Sequence, residues 1–426
     1  MIKLSPIKTS LSGTIEVPGD KSISHRSIIL GALAEGRTIV NNFLPSEDCL
    51  TTINVFKKLG VTINRQDTTV EIEGKGMKLE EPTEPLYFGN SGTTARLMLG
   101  VLAGQKFFSS VYGDPYLTKR PMMRVIQPLR KMGANIMGRG DSNYLPLAIN
   151  GKDLTGITYT LPVSSAQVKS AILLAGLYAE EPTTVKEREI TRDHTERMLK
   201  HFGVDIKVKS EEITLKSNPF KGTTIFVPGD ISSAAFFLVA TLIVPESYIT
   251  LKNVNLNPTR TGILEVLQKM GVTFDITNER NENNEPIGDI TIKHQTFYGT
   301  VIEGELIPRL IDEIPIIALL ATQGKGTTII KNAEELRVKE TDRIKATVNL
   351  LKTLGANIEE TEDGMIIHGG TILQGGKVSS YYDHRIAMMG VIASLICEKD
   401  LFIDEIDSIN ISYPNFFEDL HTLTNK

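Results

Sequence analysis

An apolar run of helical length, followed by a small turn and a β-branched run, recurs six times along the chain. Anchoring each copy on one leucine gives positions 65 to 78 residues apart: Leu33, Leu102, Leu177, Leu242, Leu320 and Leu395. A second pattern recurs five times and joins an amphipathic helix end to a glycine and then to a run typical of a half-buried strand. Its glycines are Gly60, Gly133, Gly203, Gly271 and Gly355. The 426 residues are therefore predicted to form six copies of an α/β unit, each with two helices and several strands.

A longer repeat divides the six units into two halves. TIEVPGDKSISHRSIILGAL near the start matches TIFVPGDISSAAFFLVATL, which lies 210 residues later. In both copies a strand runs into Pro-Gly-Asp and then a serine-rich helix start, so Asp20 and Asp230 are predicted N-caps. Two equivalent halves of three units each are expected, with a ligand cleft between them.

Composition narrows the function classes. The net charge is −5 and aromatic residues are only 6%, without tryptophan, which argues against a protein that coats nucleic acid or stacks on single strands. Hydrophobic residues make up 41%, enough for folded cores. Cys49 and Cys397 make neither a disulfide framework nor a metal site. The first 17 residues resemble no secretory signal and no apolar run is long enough to cross a bilayer, so a soluble cytoplasmic protein is expected.

Two helix starts in the first half carry candidate anion ligands. In DKSISHR, four polar side chains fall within an arc of about 140° of the predicted helix, beside backbone N–H groups that favour an anion. These side chains are Lys21, Ser22, His25 and Arg26. A solvated basic face is the alternative. GNSGTTAR, residues 89–96, fits either a phosphate or carboxylate nest or an ordinary tight turn.

Three further polar segments of the first half each have an ordinary alternative. LTKRPMMR, residues 117–124, is a basic loop before a helix, and such a loop is usually just solvated. SSAQVKS, residues 164–170, opens a helix with groups suited to a polyol or phosphate, or merely caps that helix. TRDHTE, residues 191–196, adds one more cation or is a plain capping sequence.

The second half contributes a basic segment and two acids. Residues 335–343, ELRVKETDR, are predicted to be helical, which would make Lys339 and Arg343 a repulsive like-charge pair one turn apart. Glu340 or a bound anion would offset that repulsion, and a salt-bridged surface helix is the alternative. Residues 383–385, DHR, fit either a buried network or a site. Asp312 lies in an apolar run, where a carboxylate is costly unless it is paired, functional or a helix cap.

The chemistry readable from these residues is limited. The seven histidines never adopt a metal-ligand spacing, so no metal is expected. The residues alone predict a two-lobed α/β protein that binds small polyanions, with Asp312 and Glu340 available for proton transfer. They do not identify the reaction.

Ten segments, taken in order, resemble the 5-enolpyruvylshikimate-3-phosphate synthase family over essentially the whole chain. They are VPGDKSISHR, GNSGTTAR, KRPM, SSAQVKSA, TRDHTE, PGDISSAA, RLIDEIP, EELRVKETDR, DHRIAMM and SYPNFF. SSAQ and TRDHT look like the variant common in Gram-positive bacteria. The resemblance implies an α/β fold of two domains around an interdomain cleft, built from six βαβαββ units, three per domain. Residues 19–228 would form one domain and residues 1–18 with 229–426 the other, with hinge crossings near 18–20 and 228–230 and closure around the substrates.

The resemblance also implies a reaction and a set of site residues. The family transfers the enolpyruvyl group of phosphoenolpyruvate to the 5-hydroxyl of shikimate 3-phosphate and releases phosphate, by addition and then elimination, on the shikimate pathway to chorismate and the aromatic amino acids. Proton transfer is implied for Lys21, Asp312 and Glu340, with the individual steps left open. Phosphoenolpyruvate binding is implied for Lys21, Asn90, Gly92, Arg120, Gln167, Lys339, Arg343, His384 and Arg385. Shikimate 3-phosphate binding is implied for Lys21, Ser22, Arg26, Ser165, Gln167, Arg192, Asp312 and Lys339.

The chain departs from some family members at two positions. Ala166 stands where they carry a serine, so one hydroxyl contact to the shikimate phosphate is absent, and Arg192 is expected to replace it. Ile411 stands where they carry a lysine, which removes one phosphate ligand. Gly92 keeps the small residue that the family associates with glyphosate sensitivity, so competitive inhibition by glyphosate is expected.

Three rival functions fit the sequence less well than this resemblance does. The sister UDP-N-acetylglucosamine enolpyruvyl transferase carries a reactive cysteine in the loop before its Arg-Pro, and residues 113–121 contain none. A non-catalytic anion-binding homologue has no need for Lys21, Asp312 and Glu340 together. An RNA-end-processing relative is disfavoured by the acidic balance. No cofactor is expected, the substrates are small molecules rather than nucleic acid or membrane, and the resemblance favours a monomer.

Overall fold

The computed structural model describes residues 1–7 and 9–424. Its strands are β1 (Ile2–Leu4), β2 (Ser12–Glu16), β3 (Glu35–Asn41), β4 (Thr62–Gln66), β5 (Thr69–Lys75), β6 (Leu86–Tyr87), β7 (Phe108–Tyr112), β8 (Asn135–Arg139), β9 (Tyr144–Asn150), β10 (Thr158–Thr160), β11 (Thr183–Lys186), β12 (Asp205–Lys209), β13 (Glu212–Lys216), β14 (Thr224–Phe226), β15 (Tyr248–Asn255), β16 (Phe274–Glu282), β17 (Glu285–Lys293), β18 (Val301–Ile302), β19 (Thr327–Ile330), β20 (Asn357–Glu360), β21 (Met365–His368), β22 (Gly376–Val378) and β23 (Leu401–Ile403).

The helices alternate with these strands. They are α1 (Lys21–Leu33), α2 (Glu47–Lys58), α3 (Gly92–Ala103), α4 (Met123–Lys131), α5 (Ala166–Gly176), α6 (His194–His201), α7 (Ile231–Ile243), α8 (Gly262–Lys269), α9 (Ile307–Leu310), α10 (Ile314–Gln323), α11 (Arg343–Thr353), α12 (His384–Ser394) and α13 (Phe416–Thr424). Short 3-10 helices cover Leu117–Lys119, Gly304–Leu306, Glu334–Val338 and Asp407–Ile411. No helix in the described ranges is both long and apolar enough to span a membrane.

Six small sheets repeat one arrangement within the described residues, five with four strands and one with three. Their orders are β14-β3-β5-β4, β6-β7-β9-β8, β10-β11-β13-β12, β2-β15-β17-β16, β18-β19-β21-β20 and β22-β23-β1. In each sheet the first two strands are parallel and the third is antiparallel to the second. The six-fold α/β repeat predicted from the sequence is confirmed.

The two repeated sequence patterns form two kinds of helix. The apolar runs form α1, α3, α5, α7, α10 and α12, and every residue of α7 and α12 is buried. The second pattern forms α2, α4, α6, α8 and α11, which bury one face each. The glycine that follows each of these five helices has a φ between +83° and +98°, the left-handed conformation expected at a helix end.

The chain divides into two compact units. The first unit comprises Met1–Pro18, Pro228–Asn281 and Pro286–Lys426, and the second comprises Gly19–Val227 with Glu282–Glu285. Each has its own hydrophobic core and three of the six sheets. In the second unit α3 and α5 approach so closely at Gly100 that a Cβ there would lie 2.2 Å from the carbonyl oxygen of Ala171.

Two strands pair in a sheet whose other strands come from the opposite half of the sequence. β2 precedes α1 but pairs in parallel with β15, with Ile15 opposite Leu251. β14 precedes α7 but pairs in parallel with β3, with Ile225 opposite Val40. The aspartates after these two strands begin the next helices as predicted: Asp20 accepts a hydrogen bond from the backbone N–H of Ile23 at 2.9 Å, and Asp230 accepts one from Ser232 at 2.9 Å.

Candidate anion-binding and active-site clusters

The start of α1 holds a paired lysine. Lys21 is the first residue of the helix, and its Nζ lies 2.5 Å from Oδ2 of Asp48 on α2. Both side chains are partly exposed, at 19% and 12%. Ser22 follows, and its carbonyl oxygen accepts a hydrogen bond from Arg26 at 2.9 Å. Asp48 is a neighbour that sequence analysis missed, because nothing local links it to Lys21.

Arg26 lies deeper in the second unit than its place on a basic helix arc suggested. It is 4% exposed, and its Nε donates to Oγ1 of Thr195 at 2.6 Å. One terminal nitrogen donates to Oγ of Ser170 at 2.8 Å. The guanidinium therefore joins α1 to α5 and α6.

His25 is fully buried. The prediction that it shares a polar arc of the helix with Lys21, Ser22 and Arg26 is therefore wrong. Its Nδ1 lies 2.8 Å from Oγ1 of Thr52, which lies 2.8 Å from Oγ1 of Thr94. Thr94 donates its hydroxyl to Oγ of Ser91, the N-cap of α3. Each hydroxyl donates only one hydrogen bond, and that of Thr94 is donated to Ser91. Thr52 therefore donates to Thr94, and Nδ1 of His25 carries the proton donated to Thr52. The buried Nε2 has no hydrogen-bond partner among the described residues.

Acidification is expected to weaken the fold through His25. Burial, with help from the charges of Lys21 and Arg26, lowers the pKa of His25 well below its ordinary value. Below about pH 6.5 the unfolded chain therefore binds a proton that the folded chain excludes, so stability falls as the pH falls. The stability advantage of the wild type over His25→Asn should shrink by up to about 1.4 kcal/mol per pH unit between about pH 6.5 and 5. Urea unfolding of both proteins across that range measures it, and a constant difference would contradict the assignment.

The GNSGTTAR segment forms a tight turn with two guanidinium groups over it. Gly89 has a φ of +57°, and Ser91 caps α3 by accepting from the N–H of Thr94 at 3.1 Å. Asn90 Oδ1 accepts a hydrogen bond from Arg120 at 3.0 Å. A Cβ at Gly92 would lie 3.1 Å from NH1 of Arg120 and 3.1 Å from NH1 of Arg96. The structure thus brings together Asn90, Gly92 and Arg120, as expected, and adds Arg96, which sequence analysis did not single out.

The start of α5 borders this turn. Ser165 is the N-cap, and its hydroxyl accepts from the N–H of Val168. Gln167 accepts from NH1 of Arg96 at 2.6 Å and donates from Nε2 to Oγ1 of Thr93 at 3.1 Å. Arg192 lies on the loop before α6 and is partly exposed. The second unit therefore groups Gln167 with the tight turn at residues 89–92, which we call the turn over Gly92.

A buried arginine surrounded by carboxylates forms the cluster of the first unit. Arg343 opens α11 and is 1% exposed. Its Nε donates to Asp383 at 2.8 Å, NH1 to Asp312 at 3.0 Å and NH2 to Glu340 at 2.6 Å. Burial alone would lower the pKa of Arg343, but Asp383, Glu340 and Asp312 together raise it above its ordinary value. Asp383 was placed in a candidate segment by its sequence, yet not among the predicted site residues.

Asp312 is paired with cations and is not a helix cap. It lies between α9 and α10, and Arg343, Arg385 and Lys339 approach its Oδ1 to 3.0, 3.8 and 4.0 Å. These ion pairs explain how the Asp312 carboxylate is tolerated in an apolar run. The side chain is 14% exposed, so it is not wholly buried.

The predicted helix over residues 335–343 is wrong. A 3-10 helix ends at Val338, and α11 begins only at Arg343, after Asp342 accepts a hydrogen bond from the N–H of Lys345 at 3.1 Å. Lys339 and Arg343 are therefore not a helical like-charge pair, although both reach Asp312. Residues 383–385, which their sequence predicts to end a strand before an apolar helix, follow a turn: Asp383 caps α12, and the buried His384 is its first residue.

The two clusters belong to different units, and each has a clear chemical capacity. The turn over Gly92 carries the cations Arg96 and Arg120, as a site for an anion would. The cluster around Arg343 holds two partly exposed carboxylates, Asp312 and Glu340, beside the cations Lys339 and Arg385. Within residues 1–7 and 9–424 no group of three or more His, Cys, Asp and Glu side chains is arranged to hold a metal ion.

Comparison with known proteins identifies the family. Residues 6–420 match the family model for EPSP synthase (3-phosphoshikimate 1-carboxyvinyltransferase). A 3-phosphoshikimate 1-carboxyvinyltransferase of Oceanobacillus iheyensis is 57% identical, covering 99% of both chains. That of Bacillus subtilis is 55% identical, covering 98% of both. The structure of EPSP synthase from Acinetobacter baumannii superposes with a TM-score of 0.90 at 45% identity, covering 99% of this chain and 98% of that one.

These matches agree with the ordered motifs and the six repeated sheets. The resemblance noted from sequence is thereby confirmed at the level of family and fold. The chain belongs to the EPSP synthase family.

Proposed function

We propose that this chain is a 3-phosphoshikimate 1-carboxyvinyltransferase. It transfers the enolpyruvyl group of phosphoenolpyruvate to the 5-hydroxyl of shikimate 3-phosphate and releases phosphate. Full-length relatives at 55–58% identity that carry this name support the activity. The observation that carries it in the structure is the cluster of Asp312 and Glu340 around Arg343, because addition and elimination need groups that donate and remove protons.

Proton transfer is assigned to Lys21, Asp312 and Glu340. Protonation of the methylene carbon of phosphoenolpyruvate makes the neighbouring carbon electrophilic, while the attacking hydroxyl loses its proton. Glu340 is half-buried and ion-paired to Arg343, and Lys21 is ion-paired to Asp48, so each group is held in place before substrate arrives.

The anionic substrates are assigned to the cations of both clusters. Phosphoenolpyruvate is proposed to bind Lys21, Asn90, Gly92, Arg120, Gln167, Lys339, Arg343, His384 and Arg385. Shikimate 3-phosphate is proposed to bind Lys21, Ser22, Arg26, Ser165, Gln167, Arg192, Asp312 and Lys339. The guanidinium groups over Gly92 and the cations beside Asp312 support these assignments. The shared substrate cleft and the hinges near 18–20 and 228–230 stay predictions.

Phosphate release tests the function directly. Purified protein should release phosphate from phosphoenolpyruvate only when shikimate 3-phosphate is present. UDP-N-acetylglucosamine, offered as the alternative acceptor, should give none. Release only with the sugar nucleotide would move the chain to the sister reaction. If the protein binds the anions but releases no phosphate with either acceptor, it is a non-catalytic homologue.

Gly92→Ala is expected to weaken phosphoenolpyruvate binding about tenfold, or about 1.4 kcal/mol. The new Cβ would lie 3.1 Å from a terminal nitrogen of Arg96 and of Arg120, so these guanidinium groups must give way by a few tenths of an ångström and would fit the anion less well. Glyphosate is expected to compete with phosphoenolpyruvate in the wild type and to lose potency in the variant. Steady-state inhibition curves measure both effects.

Gly36→Ala controls for a glycine replacement elsewhere in the same unit: its Cβ would meet nothing within 4 Å, and the strain from its φ of +80° should lower stability without changing the phosphoenolpyruvate KM. Unchanged phosphoenolpyruvate KM in Gly92→Ala would argue against a binding role for the turn.

We further propose that the enzyme acts as a monomer in the cytoplasm. Sedimentation at assay concentration tests the first point.

A further inference from the structure

A second ionic cluster lies in the second unit, outside the residues assigned above. Lys169 on α5 is fully buried, and its Nζ lies 2.9 Å from Glu187 and 2.6 Å from Glu196 on α6. The side chains of the two glutamates are 3% and 4% exposed. We call Lys169, Glu187 and Glu196 the buried triad.

Stability alone is a poor explanation for the buried triad. Moving three charged groups out of water costs several kcal/mol each, and apolar side chains of similar volume often replace such groups without loss. Burial would lower the pKa of Lys169, but Glu196 and Glu187 raise it above its ordinary value, so the ammonium stays charged. What charged groups add over apolar ones is a fixed direction for each contact.

The fixed contacts converge on Thr191. Glu187 Oε1 accepts from the backbone N–H of Thr191 at 3.1 Å and from its hydroxyl at 2.5 Å. Lys169 donates to the carbonyl oxygen of Thr191 at 3.3 Å. Residues 187–193 lie between β11 and α6 and form neither helix nor strand. The triad therefore holds all three polar groups of the residue that precedes Arg192.

The same two helices also hold Arg26. Ser170 follows Lys169 and Thr195 precedes Glu196, and both hydroxyls accept hydrogen bonds from the Arg26 guanidinium, at 2.8 and 2.6 Å. The two hydroxyls lie 2.7 Å apart. Lys169 also lies one turn after Ser165, the N-cap of α5. The triad thus joins the segments that carry Ser165, Arg26 and Arg192, three of the residues assigned above to shikimate 3-phosphate.

We propose that the buried triad of Lys169, Glu187 and Glu196, acting through Thr191, sets the position of Arg192 and with it the affinity for shikimate 3-phosphate. The members are positioning residues, since none of them touches the substrate. This inference rests on the proposed function. It predicts an effect on one substrate and not the other, because the turn over Gly92 shares no hydrogen bond with the triad among the described residues.

The test compares Thr191→Val with Thr191→Ser in the full-length enzyme. Valine removes the hydroxyl donated to Glu187 and keeps the side-chain shape, whereas serine keeps the hydroxyl. Thr191→Val should raise the KM for shikimate 3-phosphate about tenfold and leave kcat and the KM for phosphoenolpyruvate within about twofold. Thr191→Ser should retain the wild-type KM. Lys169→Met should show the same one-sided change where it folds.

Ile63→Ala on β4 is the matched control, because it opens a cavity in the same unit but in a different sheet from β11, the strand that leads to Glu187. It should lower the melting temperature and leave both KM values unchanged. An inactive wild type would overturn the proposed function and this inference with it. An active wild type with an unchanged shikimate 3-phosphate KM in Thr191→Val, or with both KM values raised alike, would overturn the inference alone.

Discussion

Asp312→Asn is expected to lower turnover of phosphoenolpyruvate and shikimate 3-phosphate by about 10²- to 10⁴-fold, the range for loss of a general acid or base. Asparagine keeps an oxygen that accepts from Arg343 but cannot take up or give a proton under assay conditions. Glu340→Gln, which keeps its acceptor for the same guanidinium, is expected to lose activity to a similar extent. Phosphate release at saturating substrate measures the loss.

The Asp312 experiment has a matched control in the same unit. Asp289 is 7% exposed and accepts hydrogen bonds from the N–H of Asn253 at 2.9 Å and from Asn278 at 2.7 Å, away from Arg343. Asp289→Asn should retain near wild-type turnover. Full activity in both Asp312→Asn and Glu340→Gln would refute the assignment of proton transfer to this cluster.

Arg343→Met is expected to destabilise the first unit by about 3–5 kcal/mol, the cost of leaving buried charge without its partner. Asp383 is fully buried, and Asp312 and Glu340 are partly so, so three carboxylates would lose their shared cation. Urea unfolding followed by circular dichroism measures the change. Activity should also be lost, because Asp312 and Glu340 are both positioned by this side chain.

Arg337→Met tests whether charge burial is the cause. Arg337 also pairs with two carboxylates, Asp342 and Glu360, but its side chain is 27% exposed. Its replacement should cost about 1 kcal/mol or less, as for other exposed pairs. Adding Asp383→Asn to Arg343→Met should restore part of the lost stability. If Arg343→Met and Arg337→Met lower the free energy of unfolding equally, burial of the charges is not the cause of the loss.

The sequence predicted the repeated fold because each unit carries local signals. The helix-ending glycines, the two aspartate caps and the apolar runs depend on neighbours a few residues away. Strand order was not predictable, because pairing such as Ile15 with Leu251 depends on surfaces far apart in the chain. The repeated VPGD segment predicted two equivalent halves, and the family resemblance supplied the expected domain boundaries.

The site was predicted in part for the same reason. Residue types at motif positions selected Asp312, Glu340 and Arg343, which the structure brings together. The sequence misplaced His25, since a helix buried on nearly all sides has no solvated arc. Pairs distant in sequence, such as Lys169 with Glu187 and Glu196, carried no local signal at all.

The three-stranded sheet has a consequence for the order of synthesis. β1 is antiparallel to β23, with Ile2 opposite Ile403, and β2 pairs with β15. The second unit is nearly continuous in sequence, so most of it can fold while later residues are still being added by the ribosome. Residues 1–18 are made first but must wait for partners made much later, and long-range pairing of this kind is slow. During translation these residues are therefore the unpaired strand segments most exposed to wrong partners.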